Sequence, residues 1–281
     1  MTTPRTFSLG GDLTVGRLGY GTMWLTGPGV WGEPADRPNA LRVLRAAVEQ
    51  GVTFIDTADS YGPMVTERLV ADALHPYPEG VVVATKVGNA RPGPGVFVPV
   101  GHPAYLRQQT ELSLRELRTE RIDLMQLHRV DPAVPLAEQV GTLAELKKEG
   151  KIRHIGLSEV TVAQLKEAQT ITEIASVQNL YNLVTRQSQD VLEYATAQNI
   201  AFIPWFPMAM GKLAQPGSPV TDIAAELHTT PAQLALAWLL HISPVVLPIP
   251  GTTSVDHLTE NLRATDLTLT ETDVTRLTAL A

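Results

Sequence analysis

Eight short apolar runs alternate with helix-like segments along almost the whole chain, and few folds accommodate that rhythm. The runs fall at residues 18–24, 53–56, 81–86, 124–128, 154–158, 176–179, 201–206 and 245–249. Several carry adjacent apolar residues rather than alternating ones, as in VVVA (81–84), AFI (201–203) and VVL (245–247), as expected of strands covered on both faces. Helical periodicity predicts helices over residues 39–50, 67–74, 104–117, 135–149, 161–170 and 188–198, the first with Asn39 as N-cap and Gly51 as its stop. Spread over 281 residues, eight units give about 35 residues each, the length of a strand, a helix and two short loops. Unbroken alternation of this count predicts a closed (β/α)8 TIM barrel. Residues 6–9 and 13–15 around Gly10, Gly11 and Asp12 add an N-terminal β-hairpin, and residues 254–264 and 270–280 add C-terminal helices. With no linker or low-complexity tract, residues 1–281 are expected to form a single domain. Two insertions, 88–103 with four prolines and 208–219, are expected as loops covering a pocket.

Three of the runs stop on an ionisable residue. GVTFIDTADSYG (51–62) delivers Asp56, with Asp59 and Tyr61 just beyond; VVVATKVG (81–88) delivers Lys86; IDLMQLHRVD (122–131) delivers His128. Taken singly, each has a bland reading: a loop cap, a solvated strand end, a half-buried aromatic, a hydrogen-bonded imidazole. Parallel strands, however, bring their carboxyl ends to one face of a barrel, where barrels carry their chemistry. Asp56, Tyr61, Lys86 and His128 are therefore expected to meet. A free tyrosine has pKa ~10. Lys86, held charged by Asp56, is expected to bias Tyr61 toward phenolate and make it an acid for a developing alkoxide near neutral pH. A neutral His128 would hydrogen-bond the same oxygen. None of the four is a hydride source, so redox work needs an organic cofactor.

Composition narrows the alternatives. A net charge of −7, with no basic stripe, argues against nucleic acid as a partner. Cysteine is absent, which excludes disulfides and thiolate chemistry, and the seven histidines show no zinc spacing, so no metal is expected. No apolar run approaches the ~20 residues of a membrane span, and the start MTTPRTFSLGG lacks a signal segment, so the expectation is no membrane partner and a cytoplasmic location. GPGVWG (27–32) has the letters of a dinucleotide fingerprint, but Pro34 and Pro38 follow where a helix should open.

The blocks GVTFIDTADSYG, ATK and LMQLH, in this order, resemble the aldo-keto reductase superfamily nearly end to end, from LGYGTMW to ENLRA. The resemblance implies a nicotinamide-dependent (β/α)8 barrel with Asp56, Tyr61, Lys86 and His128 as catalytic tetrad and Tyr61 as proton donor. It places the nicotinamide carboxamide at Ser158 and Gln178, an aromatic stack at Trp205, and Gly21, Thr22 and Met23 behind the pyrophosphate. Further cofactor positions are Asp56, Phe206, Met208 and Gly211. Gly251, Thr252, Thr253, His257, Glu260 and Asn261 fall in the segment that holds the adenosine phosphate, where Ser254 opens a helix whose amino end suits an anion. The substrate, a small carbonyl compound, is expected against Trp24, Trp31, Tyr61 and His128. Two positions depart from the family pattern. Glu159 follows the serine where Asn is usual, so that either the carboxamide contact is altered or Glu159 points elsewhere. His257 stands where many members hold the 2′-phosphate of NADP with Arg. NADPH is the expected cofactor, with NAD possible. The reading is an oxidoreductase reducing an aldehyde or ketone with NADPH; the alternative is a nicotinamide-binding regulatory or sensor subunit with little turnover.

Overall fold

A computed structural model describes residues 4–208 and 218–280. Strands β1 (Thr6–Leu9) and β2 (Leu13–Gly16) pair antiparallel. Gly10, at φ 59°, is pressed so closely on the His154 ring that a Cβ would lie 2.2 Å from it. Asp12 in the same turn accepts from His154 Nε2 at 2.6 Å and from Arg153 at 2.8 Å, which fixes the hairpin against the barrel.

The barrel then follows in order: β3 (Tyr20–Gly21), α1 (Arg37–Glu49), β4 (Phe54–Asp56), α2 (Val65–Leu74) and β5 (Val82–Val87). After β6 (Asn89–Gly93) and β7 (Val96–Pro99) come α3 (Pro103–Glu116), β8 (Ile122–Leu127), α4 (Leu136–Lys148) and β9 (Ile152–Ser158). The round ends with α5 (Val162–Gln169), β10 (Ser176–Gln178), α6 (Gln189–Gln198) and β11 (Ala201–Phe202). Seven of these strands form one parallel sheet in the order β3, β4, β5, β8, β9, β10, β11. Their apolar residues, among them Phe54, Ile55, Leu124, Met125, Leu157, Val177 and Phe202, are buried.

Residues 245–250 close the ring without forming a regular strand. On one side Phe202 N donates to Val245 O at 2.9 Å and Leu247 N to Phe202 O at 2.8 Å. On the other, Gly19 N donates to Pro248 O at 2.9 Å and Gly21 N to Pro250 O at 3.5 Å. The two prolines have no N–H to return, so this seam accepts without donating. It is also tight, since a Cβ on Gly21 would sit 2.7 Å from Ile249 O. Gly21→Ala is therefore expected to lower stability by about 1–3 kcal/mol, the usual cost of overpacking. A fall in the urea midpoint with an unchanged slope would record it, and an unshifted midpoint would show the seam to be loose.

Four local features differ from the sequence reading. Helix α1 is capped by Asp36, whose side chain accepts from Asn39 N at 2.9 Å, because Pro38 fits the first turn and moves the start upstream of Asn39. Residues 88–103 are not a plain loop: β6 and β7 pair antiparallel across a register shift between Ala90 and Gly93, which accommodates Pro92. The other two are helices α7 (Pro219–Glu226) and α8 (Pro231–Ile242), missed by the periodicity. Helix α8 buries every residue from Leu234 to Leu240 and so has no polar face to mark a 3.6-residue period. Its start was nonetheless legible in the Thr230 and Gln233 capping box. Two further helices, α9 (Val255–Leu262) and α10 (Glu271–Thr278), follow the barrel as expected. Among the described residues no helix is long and apolar enough to cross a membrane.

Candidate active site

Three adjacent strands carry the titratable cluster. Asp56 ends β4, Lys86 lies one residue from the end of β5, and His128 follows β8 directly. Tyr61 stands on the loop into α2. Lys86 Nζ donates to Asp56 Oδ2 at 2.5 Å, to Thr57 O at 2.9 Å and to the Tyr61 hydroxyl at 3.2 Å. The other Asp56 oxygen accepts from Gln178 Nε2 at 2.9 Å and Gln126 Nε2 at 3.1 Å. The His128 ring meets Tyr61 edge-on at 5.8 Å, and its Nδ1 lies 3.1 Å from Ser60 Oγ. Four side chains distant in sequence thus share one site.

Burial sets the protonation states. Lys86 is fully buried, which lowers its pKa, but the Asp56 carboxylate and the Tyr61 oxygen outweigh that and leave the net shift upward, so it stays an ammonium. Tyr61 corrects the sequence expectation. Its pKa is raised, because desolvation of the phenolate exceeds the pull of Lys86, whose charge Asp56 already balances. His128 is held far below its ordinary value, first by burial and then by Lys86, Arg129 and Arg91, and is neutral. We assign its proton to Nε2, with Nδ1 accepting from the Ser60 hydroxyl.

Near the cluster lie two buried acids, Asp59 and Glu67, whose Oδ1 and Oε2 respectively find no hydrogen-bond partner among the described residues. Thr85 Oγ1 donates to Glu67 Oε1 at 2.5 Å. Desolvation nevertheless pushes Glu67 up to about 7 from its ordinary 4.5. A raised carboxyl stabilises the fold fully below its unfolded pKa, and that contribution is lost as pH rises from about 4.5 through about 7. At ~1.4 kcal/mol per pH unit the loss is roughly 3 kcal/mol. Glu67→Gln should flatten this part of the stability profile in urea titrations from pH 4 to 8; an unchanged slope would show that Glu67 ionises freely.

The cluster opens into a cavity of about 610 Å³. Of the residues expected at cofactor and substrate, Gly21, Met23, Trp24, Asp56, Tyr61, His128, Ser158, Gln178, Trp205, Phe206, Met208 and Gly251 line it. Asn89 and Phe97, from the segment 88–103 expected over the pocket, line it too, and so do Arg129, Pro207 and Ile249, which no expectation named. Phe97 arrives on the β6–β7 hairpin, 6.4 Å from the His128 ring, and only pairing of those strands carries it there. Thr22 is buried beside the lining, its hydroxyl without a partner among the described residues.

Other expected residues lie elsewhere. Trp31 is not among the lining residues; it pairs with Gly62, and its ring packs beside the Arg91 guanidinium at 5.7 Å. Glu159 is also absent from the lining and points elsewhere, the second of the two options its sequence position allowed. At φ 55° it turns away, and its Oε1 accepts from Trp205 Nε1 at 2.6 Å and Leu180 N at 2.7 Å. Thr252 Oγ1 accepts from Ser254 N, and Ser254 Oγ caps α9 by accepting from His257 N. Thr253 lines a separate recess with Ser254 and Asp256 of that turn and Arg42, Arg45 and Glu49 of α1. Glu260 O accepts from Gln233, and Asn261 is buried. Gly211 lies outside the described residues.

Comparison with known proteins agrees with this architecture. The profile of the aldo/keto reductase family matches residues 17–281. An uncharacterized oxidoreductase of Schizosaccharomyces pombe is 50% identical over 259 residues, 92% of this chain and 84% of that protein. Pyridoxine 4-dehydrogenase of Escherichia coli is 43% identical over 272 residues, 95% of this chain and 94% of that one. An aldo-keto reductase from Klebsiella pneumoniae, solved in complex with NADPH, superposes with a TM-score of 0.83 at 29% identity, covering 100% of this chain and 95% of its own.

Proposed function

The chain belongs to the aldo/keto reductase family, and from that membership we propose that it reduces an aldehyde or ketone to the alcohol with NADPH, Tyr61 giving the proton. The observation that carries this reading is the buried Lys86 ammonium 3.2 Å from the Tyr61 oxygen and 2.5 Å from Asp56.

The residues around the cavity suit a nicotinamide. Ser158 offers a hydroxyl, Gln178 Oε1 accepts no bond among the described residues, and the Thr22 hydroxyl is orphaned nearby. Trp205, held by Glu159, presents an indole to the cavity. When bound, the nicotinamide supplies the hydride for the carbonyl carbon. The extra phosphate that distinguishes NADPH suits the amino end of α9, with Thr252, Thr253 and His257 and the nearby Arg42 and Arg45.

The chain's own residues manage the proton. Burial keeps Tyr61 protonated at rest. His128 Nε2 donates a hydrogen bond to the carbonyl oxygen and orients it. As negative charge grows on that oxygen, the Tyr61 O–H bond breaks and the proton passes to it. The phenolate left behind forms beside the Lys86 ammonium, which Asp56 keeps in place.

The test is a panel of aldehydes and ketones followed at the nicotinamide absorbance with both cofactors. The name of the Escherichia coli relative, pyridoxine 4-dehydrogenase, puts pyridoxal on that panel. Turnover with a lower KM for NADPH than for NADH is expected. A clear NADH preference would overturn the cofactor choice, and no oxidised nicotinamide from any carbonyl would overturn the reaction.

A further inference from the structure

Arg129, the residue after His128, lines the cavity, and no carboxylate among the described residues pairs with it as a counterion. Its Nη1 donates to His128 O at 2.8 Å and Ser158 Oγ at 3.1 Å, while Nε and Nη2 find no acceptor among the described residues. No carboxylate there lies within 4.0 Å of the guanidinium. The undescribed stretch 209–217, AMGKLAQPG, contains no Asp or Glu. The nearest acid acting on Arg129 is Glu159, whose Oε1 is committed to Trp205 and Leu180.

Arg91, on the β6–β7 hairpin, does not line the cavity but likewise has no carboxylate within 4.0 Å among the described residues. It donates to the carbonyls of Val96, Val30, Ser60 and Gly29, all neutral acceptors, and lies 3.7 Å from the centre of the Phe97 ring. Both arginines act on His128. A protein of net charge −7 thus has one guanidinium, Arg129, at the mouth of its catalytic cavity, with a second, Arg91, close enough to act on His128. The same mouth has aromatic walls: Phe97 beside His128, and Trp24 stacked on Phe206 at 6.4 Å. The Arg129 guanidinium lies over the Trp205 ring at 5.8 Å, but its free edge lacks the hydrogen-bonded counter-charge that buried charges normally find inside proteins.

We infer that the substrates favoured by this site are aromatic carbonyl compounds carrying an anionic substituent, a carboxylate or phenolate, which the free edge of Arg129 engages while the ring lies against Trp24, Phe97 and Phe206. This rests on the carbonyl-reductase reading and deepens it by naming the substrate class.

The test compares 3- and 4-carboxybenzaldehyde with their methyl esters, using NADPH and the full-length protein. In the wild type the better acid should exceed its ester in kcat/KM by about tenfold or more, as a charge-assisted hydrogen bond in a partly dry site gives. Arg129→Gln should bring the ratio close to one, and Arg129→Lys should restore part of it. Raising ionic strength should reduce the ratio in the wild type. Benzoate binding, read by tryptophan fluorescence against benzamide, needs no turnover. Tighter binding of benzoate that is lost in Arg129→Gln would uphold the anion site even if no carbonyl is reduced. Equal turnover of acids and esters by the wild type would overturn the inference and leave the reductase reading standing. Weaker NADPH binding in Arg129→Gln with an unchanged ratio would assign the arginine to the dinucleotide and also overturn it.

Discussion

Tyr61→Phe should lower kcat by about 10²- to 10⁴-fold, the range that a positioned general acid contributes. Among the described residues the hydroxyl removed has one hydrogen-bond partner, Lys86 Nζ, and that nitrogen retains Asp56 and Thr57 O. The fold should therefore lose no more than about 1–1.5 kcal/mol, the worth of one such bond. Cofactor binding, followed by tryptophan fluorescence, should be little altered, because the ring stays and only the oxygen leaves. The pH profile gives a second check. His128 titrates far below its ordinary value and Tyr61 above its own, so neither group should bend kcat/KM between about pH 6.5 and 8. Near-normal kcat in Tyr61→Phe would remove Tyr61 from the chemistry.

The second large effect is expected at Lys86, which is expected both to stabilise the fold and to serve the chemistry. Lys86→Met would leave the Asp56 carboxylate buried, 1% exposed, held among the described residues by the Gln126 and Gln178 amides. Removing one partner of a buried pair costs about 3–5 kcal/mol, because the remaining charge is uncompensated. Turnover should fall with it by about 10²-fold or more, since the phenolate would then form with no cation beside it. Adding Asp56→Asn to Lys86→Met should restore most of the stability while activity stays lost. Urea denaturation and initial rates on the single and double variants separate the two roles. If the double variant recovers activity, the ammonium is structural. If the single variant is as stable as the wild type, the buried pair is not what holds this end of the barrel.

Much of this arrangement was legible in the residues because it is local. A strand that is apolar on both faces and stops on Asp56, Lys86 or His128 announces where it ends, and parallel pairing does the rest. The Ser254 cap of α9 was equally plain. The remainder was illegible for physical reasons. Helix α8 is buried on all sides and shows no period, and the proline-rich 88–103 segment pairs across a bulge that composition does not mark. Trp31 was expected at the substrate because it lies beyond a strand's carboxyl end near Tyr61 and Lys86, yet Gly62 and Arg91 hold it outside the lining.

The amino-acid order by itself determined the βα rhythm, the strand-end chemistry and the absence of thiol chemistry, since each depends on residue type and near neighbours. Only the tertiary structure decided that Tyr61 keeps its proton, that Glu159 serves Trp205, and that prolines at 248 and 250 close the barrel through carbonyls alone. It also decided that Arg129 faces the cavity with a free edge. A group's charge state and its partners are sums over everything packed around it, and most of those neighbours lie tens to hundreds of residues away in the chain.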